Sequence, residues 1–131
     1  PKSESIARIT KTFPYWFCGA FSAYAGREAE LPVDAHELLA LIAPRLLYVS
    51  SATRDDWAGQ PGEFRACQLA SPAWELYGKQ GLVGNVFPPP EHPLVEGSIG
   101  YHLRIGQHDL TAYDWARFMD FADARNVSRR P

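Results

Sequence analysis

Two polar segments of this 131-residue sequence carry residue types suited to acid–base chemistry, and each follows a predicted β-strand. Asp55 and Asp56 follow the apolar run LLYVSS at positions 46–51, and His108 follows the alternating segment Ile99–Ile105. In open α/β sheets, functional groups collect on loops that leave the carboxyl ends of strands. There a carboxylate can orient an imidazole through one ring nitrogen, and the other nitrogen can remove a proton from a hydroxyl.

The chain order of these residues narrows the chemistry. An acid after the penultimate strand and a histidine after the last one form the second half of an α/β-hydrolase triad, whose order is serine, acid, histidine. This order places the serine upstream of Pro1, and we expect processing or truncation there because the chain does not open with methionine. None of the serines lies in a G-x-S-x-G elbow; they are Ser3, Ser5, Ser22, Ser50, Ser51, Ser71, Ser98 and Ser128.

Structural roles for the same residues stay open at this level. His108 could cap the helix that follows it, and Asp55 could cap a turn, as aspartates often do. Asp56 competes with Asp55 for the same role. His102 lies on a predicted strand, which favours a structural role, and the four histidines are too scattered to predict a metal site.

Helices are predicted on both sides of the two strands. Before the first strand, capping residues and apolar spacing predict a helix from Pro14 that closes at Gly26 and a helix capped by Asp34 and Glu37 that ends at Pro44. Between the strands they predict the helices Glu63–Leu69 and Ser71–Tyr77, the second with Ser71 as N-cap. After the second strand they predict a helix capped by Thr111 and Asp114, with an apolar stripe of Trp115, Phe118, Met119 and Ala122. Residues 81–97, with three consecutive prolines, predict a long irregular loop.

Strands separated by helices imply parallel pairing in an α/β layered fold. Two parallel strands are too few to bury the apolar faces of about five helices. We therefore expect residues 1–131 to be the C-terminal segment of one α/β-hydrolase domain, with an incomplete sheet, while the part that bears the nucleophile lies upstream or on another chain.

Composition and charge narrow the class of partner. A formal net charge of −2 gives neither a basic surface for nucleic acid nor a polybasic membrane patch. No apolar run approaches the roughly 20 residues of a membrane helix. We expect neither nucleic acid nor membrane as a partner. Cys18 and Cys67 could form one disulfide or remain two thiols.

Longer strings resemble a known family. FPYWFC, LPVDAHELLALIAPRLLYVSSATRDDWAGQPGEF, SPAWELYGKQGL and IGYHLRIGQHDLTAYDWARFMDFAD resemble the C-terminal third of bacterial glucuronoyl esterases, carbohydrate esterase family 15. The resemblance covers nearly the whole chain. It implies a secreted or periplasmic serine esterase that cleaves esters between the 4-O-methyl-glucuronate of xylan and lignin alcohols, with no metal or organic cofactor.

The resemblance also implies roles for single residues. His108 matches the catalytic histidine, and Asp55 matches the acid after the penultimate strand, with Asp56 as the neighbouring alternative. The family also uses an acid at an earlier strand end, upstream of this chain. Trp57 matches a tryptophan that lines the glucuronoyl pocket, and Glu4 matches a glutamate that binds sugar hydroxyls. The family's serine, oxyanion arginine and substrate-binding lysine have no counterpart, so a complementary N-terminal segment is the implied partner.

Two other functions remain open, and one position departs from the family. Without a serine elbow, the chain could be a non-catalytic carbohydrate-binding or interaction module, or part of a related esterase that acts on acetyl groups. Gly59 replaces an aspartate that is common in bacterial members. Trp57 on its polar loop is predicted to be exposed, whereas Trp16, Trp74 and Trp115 are predicted core residues.

Overall fold

A computed structural model describes residues 3–126. The helices and strands follow in chain order: α1 Ile6–Thr12, α2 Ala35–Ala40, β1 Leu47–Ala52, α3 Gln60–Ala70, α4 Pro72–Glu75, β2 Ile99–Arg104 and α5 Ala112–Asn126. Two short 3₁₀ helices, Phe21–Tyr24 and Glu28–Glu30, lie between α1 and α2.

The two strands form the predicted parallel pair. The register runs from Leu47 opposite Ile99 to Ala52 opposite Arg104. Isolated bridges from the 81–97 loop cover the other edge of β2, and all six residues of β2 are buried. Within residues 3–126, no strand pairs with the outer edge of β1. The expected partial sheet of an α/β fold is confirmed.

The two faces of β2 pack against different helices. Its odd-numbered residues, Ile99, Tyr101 and Leu103, join Trp74 and Cys67 in a core beneath α3 and α4. Its even-numbered residues lie towards α5, where the Tyr48 ring meets Phe118 and Phe121 edge-on. This alternation follows from the two-residue period of a strand. As a result, neighbouring residues of β2 lie in two different chemical environments.

The sequence prediction of a helix from Pro14 is wrong. The helix in this region is α1, which Ser5 caps by accepting from the Arg8 amide, and it ends at Phe13. Proline disfavours helical torsions at the residue before it, and Phe13 has left the helical region at φ −131° and ψ 65°. Tyr15, Trp16 and Phe17 therefore lie in turns and bends, while Phe21 and Tyr24 belong to the short 3₁₀ helix.

The capping signals and the apolar stripe of the sequence were confirmed only in part. The Asp34–Glu37 capping box is present at the start of α2, but Ser71 is itself helical and donates its hydroxyl to the Cys67 carbonyl at 2.9 Å. In α5 the buried positions are Asp114 and Phe121, whereas Trp115 and Met119 are exposed. The predicted stripe is thus displaced by one residue around the helix.

Candidate active site

Backbone pairing continues past the ends of both strands into the loops that carry the candidate residues. The Thr53 amide donates to the Arg104 carbonyl at 2.9 Å, and the Arg54 amide donates to the Gly106 carbonyl at 2.8 Å. The Thr53 hydroxyl accepts from the Gly106 amide at 3.1 Å. These contacts hold the two loops side by side and bring Asp55 and His108 together.

His108 and Asp55 form a hydrogen-bonded pair. Nδ1 of His108 lies 2.6 Å from Oδ2 of Asp55, and the carboxylate accepts from the ring. The His108 side chain is 89% exposed and that of Asp55 is 14% exposed. The hydrogen bond to Asp55 raises the pKa of His108 above its ordinary value. Within residues 3–126, Nε2 has no hydrogen-bond partner, so this atom is available to accept a proton.

The backbone of Asp55 is fixed from two sides. Its amide donates to the Ala52 carbonyl at 3.1 Å, and the Gln60 side chain donates to the carbonyls of Ala52 and Asp55. Asp56 is exposed and lines a separate cavity with His36 and Gln60. The carboxylate that the structure brings to His108 is therefore that of Asp55.

Trp57 and Glu4 lie beside this pair. A cavity of about 460 Å³ is lined by Glu4, Phe13, Trp16, Asp55, Trp57, Ala58 and His108. The Glu4 amide donates to the Trp57 carbonyl at 3.0 Å, and Oε1 of Glu4 is buried with no partner among the described residues. An unpaired carboxylate oxygen in a cavity can accept a hydrogen bond from a ligand hydroxyl.

The Trp57 indole is held against α1. The guanidinium of Arg8 lies over its ring at 3.7 Å from the centroid. Such a cation–π contact fixes the ring and leaves its remaining surface at the cavity. Gly59 has a φ of 71°, and a Cβ there would lie 2.8 Å from Cβ of Ser3. The conformation of the loop after Trp57 therefore favours glycine at this position.

Sequence reasoning missed part of the cavity wall. Phe13 and Trp16 stack with ring centroids 4.0 Å apart and lie on the same cavity. Trp16 was predicted to be a core residue, but it is 58% exposed. Pro14 is the sequence feature that could have predicted this exposure. It ends α1, so Trp16 does not belong to the stripe of a helix.

Two nucleophilic side chains, Ser51 and Cys67, are buried. The buried Ser51 hydroxyl donates to Glu63 at 2.6 Å and lies 2.8 Å from the Tyr101 hydroxyl. Burial raises the pKa of Glu63. Cys67 is a buried free thiol whose pKa burial raises to about 12, and Cys18 is a free, exposed thiol. Neither Ser51 nor Cys67 is placed to attack a substrate.

Residues 3–126 hold no cluster of three or more histidine, cysteine, aspartate or glutamate side chains that could bind a metal ion. No helix in the same range is long and apolar enough to span a membrane.

Comparison with known proteins then decides the family. The family model described as glucuronyl esterase, fungi, matches residues 2–78. The chain belongs to the glucuronoyl esterase family. A curated relative, carbohydrate esterase MZ0003 from an unknown prokaryotic organism, is 47% identical over 92% of this chain, which spans 28% of that relative.

Solved structures agree with this placement of the glucuronoyl esterase chain. A structure described as a promiscuous CE15 esterase from a marine bacterial metagenome has a TM-score of 0.89 and 45% identity over 92% of the chain. The glucuronoyl esterase of Solibacter usitatus has a TM-score of 0.82 and 46% identity over 88% of the chain. The chain spans only 30% and 29% of these structures, respectively, and has part of their α/β-hydrolase fold.

Proposed function

We propose that residues 1–131 are the C-terminal segment of a single α/β-hydrolase domain and supply the histidine and the acid of a serine esterase. The observation that carries this proposal is the 2.6 Å contact between Nδ1 of His108 and Asp55, at the carboxyl ends of two adjacent parallel strands. A preceding segment, on the same polypeptide or a complementary one, supplies the nucleophilic serine. The unpaired outer edge of β1 is where the remaining sheet joins.

In this proposal each ring nitrogen of His108 has its own role. Asp55 accepts from Nδ1, which holds the ring in the Nε2-acceptor tautomer and stabilises the imidazolium that forms. Nε2 takes the proton of the serine hydroxyl as the serine attacks the ester carbonyl, and it returns this proton to the departing alcohol. A water molecule, deprotonated by His108, then hydrolyses the acyl-enzyme.

The proposed substrates are esters that link the 4-O-methyl-glucuronate of xylan to lignin alcohols. Membership of the family supports this class, as do the side chains that surround His108. The buried oxygen of Glu4 accepts from a sugar hydroxyl, and Trp57 offers an aromatic surface to a sugar ring. Because such polymers lie outside cells, we propose a secreted or periplasmic enzyme that needs no cofactor.

One observation favours a broader specificity as a second candidate. The marine metagenomic relative, 45% identical to this chain, is described as promiscuous. The second candidate is therefore an esterase that also accepts acetyl groups on carbohydrates. It uses the same His108–Asp55 pair and differs only in the acyl group.

A substrate panel on the full-length polypeptide that contains this segment tests both candidates. We expect hydrolysis of benzyl and methyl glucuronate esters, and its loss in His108→Ala, while His92→Ala at an exposed loop position retains activity. Hydrolysis of acetylated xylan at a comparable rate would favour the second candidate. Full glucuronoyl esterase activity in His108→Ala would contradict the proposed role of this histidine.

A further inference from the structure

Arg104 makes an unusual set of contacts at the end of β2. Its side chain folds over the loop that follows and donates to the carbonyls of Ile105 at 3.2 Å, Gln107 at 2.9 Å and Asp109 at 2.8 Å. The last two carbonyls flank His108 on either side. A single buried guanidinium therefore holds the backbone of the whole histidine loop, residues 105–109.

The other end of Arg104 is anchored in the protein. Its Nε lies 2.8 Å from Oδ2 of Asp114, a side chain that is only 1% exposed. Asp114 also accepts from the Thr111 amide at 2.7 Å and lies 2.8 Å from Nε2 of His102. Because Asp114 belongs to α5 and His102 to β2, the guanidinium is fixed relative to the sheet.

The loop backbone packs directly on this guanidinium. Gly106 has a φ of 137°, and a Cβ at this position would lie 2.4 Å from Nη1 of Arg104, so the guanidinium would have to move. The Gly106 carbonyl accepts from the Arg54 amide, beside Asp55. Arg104 and the loop after β1 therefore contact the histidine loop from opposite sides.

We propose that Arg104 is a positioning residue that holds the histidine loop so that His108 meets Asp55. The inference rests on the proposed function. His108 is 89% exposed, and within residues 3–126 its only hydrogen-bond partner is Asp55. One exposed contact cannot fix the backbone that carries the ring, so the orientation of His108 depends on the loop and, through the loop, on Arg104.

Arg104→Lys in the full-length polypeptide tests this proposal, because lysine keeps the charge but lacks the planar fork that serves Asp114 and several carbonyls together. We expect kcat to fall about 10- to 100-fold, with KM within about twofold, since small displacements of a catalytic group cost rate more than binding. The acid limb of kcat/KM should move to lower pH. Asp55, Asp109 and Glu63 are the charged groups that raise the pKa of His108, and Asp55 contributes most.

Two further variants separate positioning from stability. Arg125→Lys is the matched control, because Arg125 donates to the Val95 carbonyl, outside the histidine loop, and it should leave the acid limb unchanged. Gly106→Ala disturbs the loop without removing a buried charge, and it should shift the acid limb in the same direction as Arg104→Lys. Gly106→Ala therefore tests the proposal if Arg104→Lys does not fold.

An NMR titration of the His108 imidazole, assigned with His108→Gln, tests the inference even without activity. A lower His108 pKa in Arg104→Lys supports the proposal. An unchanged His108 titration and acid limb would overturn it, whether or not the melting temperature falls, because Arg104 would then act only on stability. Absence of esterase activity in the wild type would instead contradict the proposed function.

Discussion

Two histidine–aspartate pairs lie at the end of β2, and they differ almost completely in environment. His108 contacts Asp55 at 2.6 Å with a side chain 89% exposed, and His102 contacts Asp114 at 2.8 Å with no exposure at all. The pKa of His108 is raised and that of His102 is lowered. The same pair of residue types therefore favours opposite protonation states.

Burial accounts for the difference. Removal from water penalises the imidazolium of His102, and this cost exceeds the attraction of Asp114. The neutral ring is satisfied at both nitrogens, because Nδ1 accepts from the Tyr48 hydroxyl at 3.0 Å while Nε2 donates to Asp114. His108 remains hydrated, so the hydrogen bond to Asp55 dominates. The exposed pair is suited to proton transfer and the buried pair to structure.

Asp114 shows how the buried pair keeps its charge. Burial alone would raise the pKa of this carboxyl, but hydrogen bonds from Thr111 and His102 and the charge of Arg104 lower it below its usual value. Asp114 therefore remains ionised inside the protein. Its charge connects the N-terminal end of α5 to β2 and to the guanidinium that holds the histidine loop.

Exchange of each histidine for glutamine should give the largest difference between the two pairs, because one exchange should lower kcat and the other should lower stability. His108→Gln should lower kcat about 10³- to 10⁴-fold with little change in stability, because it removes the exposed proton acceptor. His102→Gln should destabilise the full-length protein by about 1–3 kcal/mol through an imperfect buried hydrogen bond. Steady-state kinetics and urea unfolding measure both, and a large kcat loss in a stably folded His102→Gln would contradict the division.

The acidic partners should give a smaller contrast. Asp55→Asn should lower kcat/KM about 10²-fold, because the amide no longer stabilises the imidazolium, although His108 itself remains in place to accept a proton. Asp56→Asn, at the adjacent exposed position, is the matched control and should stay within about twofold of wild type. The reverse order of effects would assign the catalytic acid to Asp56.

Removal of the buried charge should act on stability. Asp114→Asn leaves Arg104 without its ionic partner and should lower the free energy of unfolding by about 3–5 kcal/mol. Asp120→Asn is the control, since the Arg117–Asp120 pair on the surface of α5 contributes about 0–1 kcal/mol. Denaturant unfolding of the full-length protein checks both, and equal effects would remove the distinction between buried and exposed pairs.

Trp57 tests whether the exposed pair adjoins a binding surface. Trp57→Ala should raise KM for a benzyl glucuronate about tenfold, with kcat changed less, because it removes an aromatic wall of the cavity but no proton-transfer group. Trp115→Ala is the control, an exposed tryptophan on α5 that does not line this cavity. Equal KM effects would place the sugar elsewhere.

The pH dependence of the two pairs should differ in kind. kcat/KM should fall as pH decreases through the raised pKa of His108, because protonation removes the base. Folding stability should fall at lower pH, from about 6.5 downward through the lowered pKa of His102, because the unfolded histidine binds the proton more readily. The pKa of Asp114 is also lowered, so folding stability should fall further in more acidic solution, where this carboxylate becomes protonated. A coincidence of the activity and stability profiles would contradict the assignment.

Prediction from the sequence succeeded for one capping box and for the order and pairing of the strands. The Asp34–Glu37 capping box, the two strands and their parallel pairing follow from residue spacing and from helices between strands. The stripe of α5 and the helix from Pro14 failed, because the buried face of a helix depends on what packs against it and a proline changes the chain direction.

By itself, the sequence determined the order of the chemistry: an acid after one strand and His108 after the next, with no serine elbow in the chain. Only the tertiary structure decided that Asp55 forms a hydrogen bond with His108 and that His102 is buried in contact with Asp114. The register of β1 against β2 sets both outcomes, because a shift of one residue would move every side chain to the other face of the sheet. That register depends on contacts between segments about 50 residues apart, which local sequence patterns do not specify.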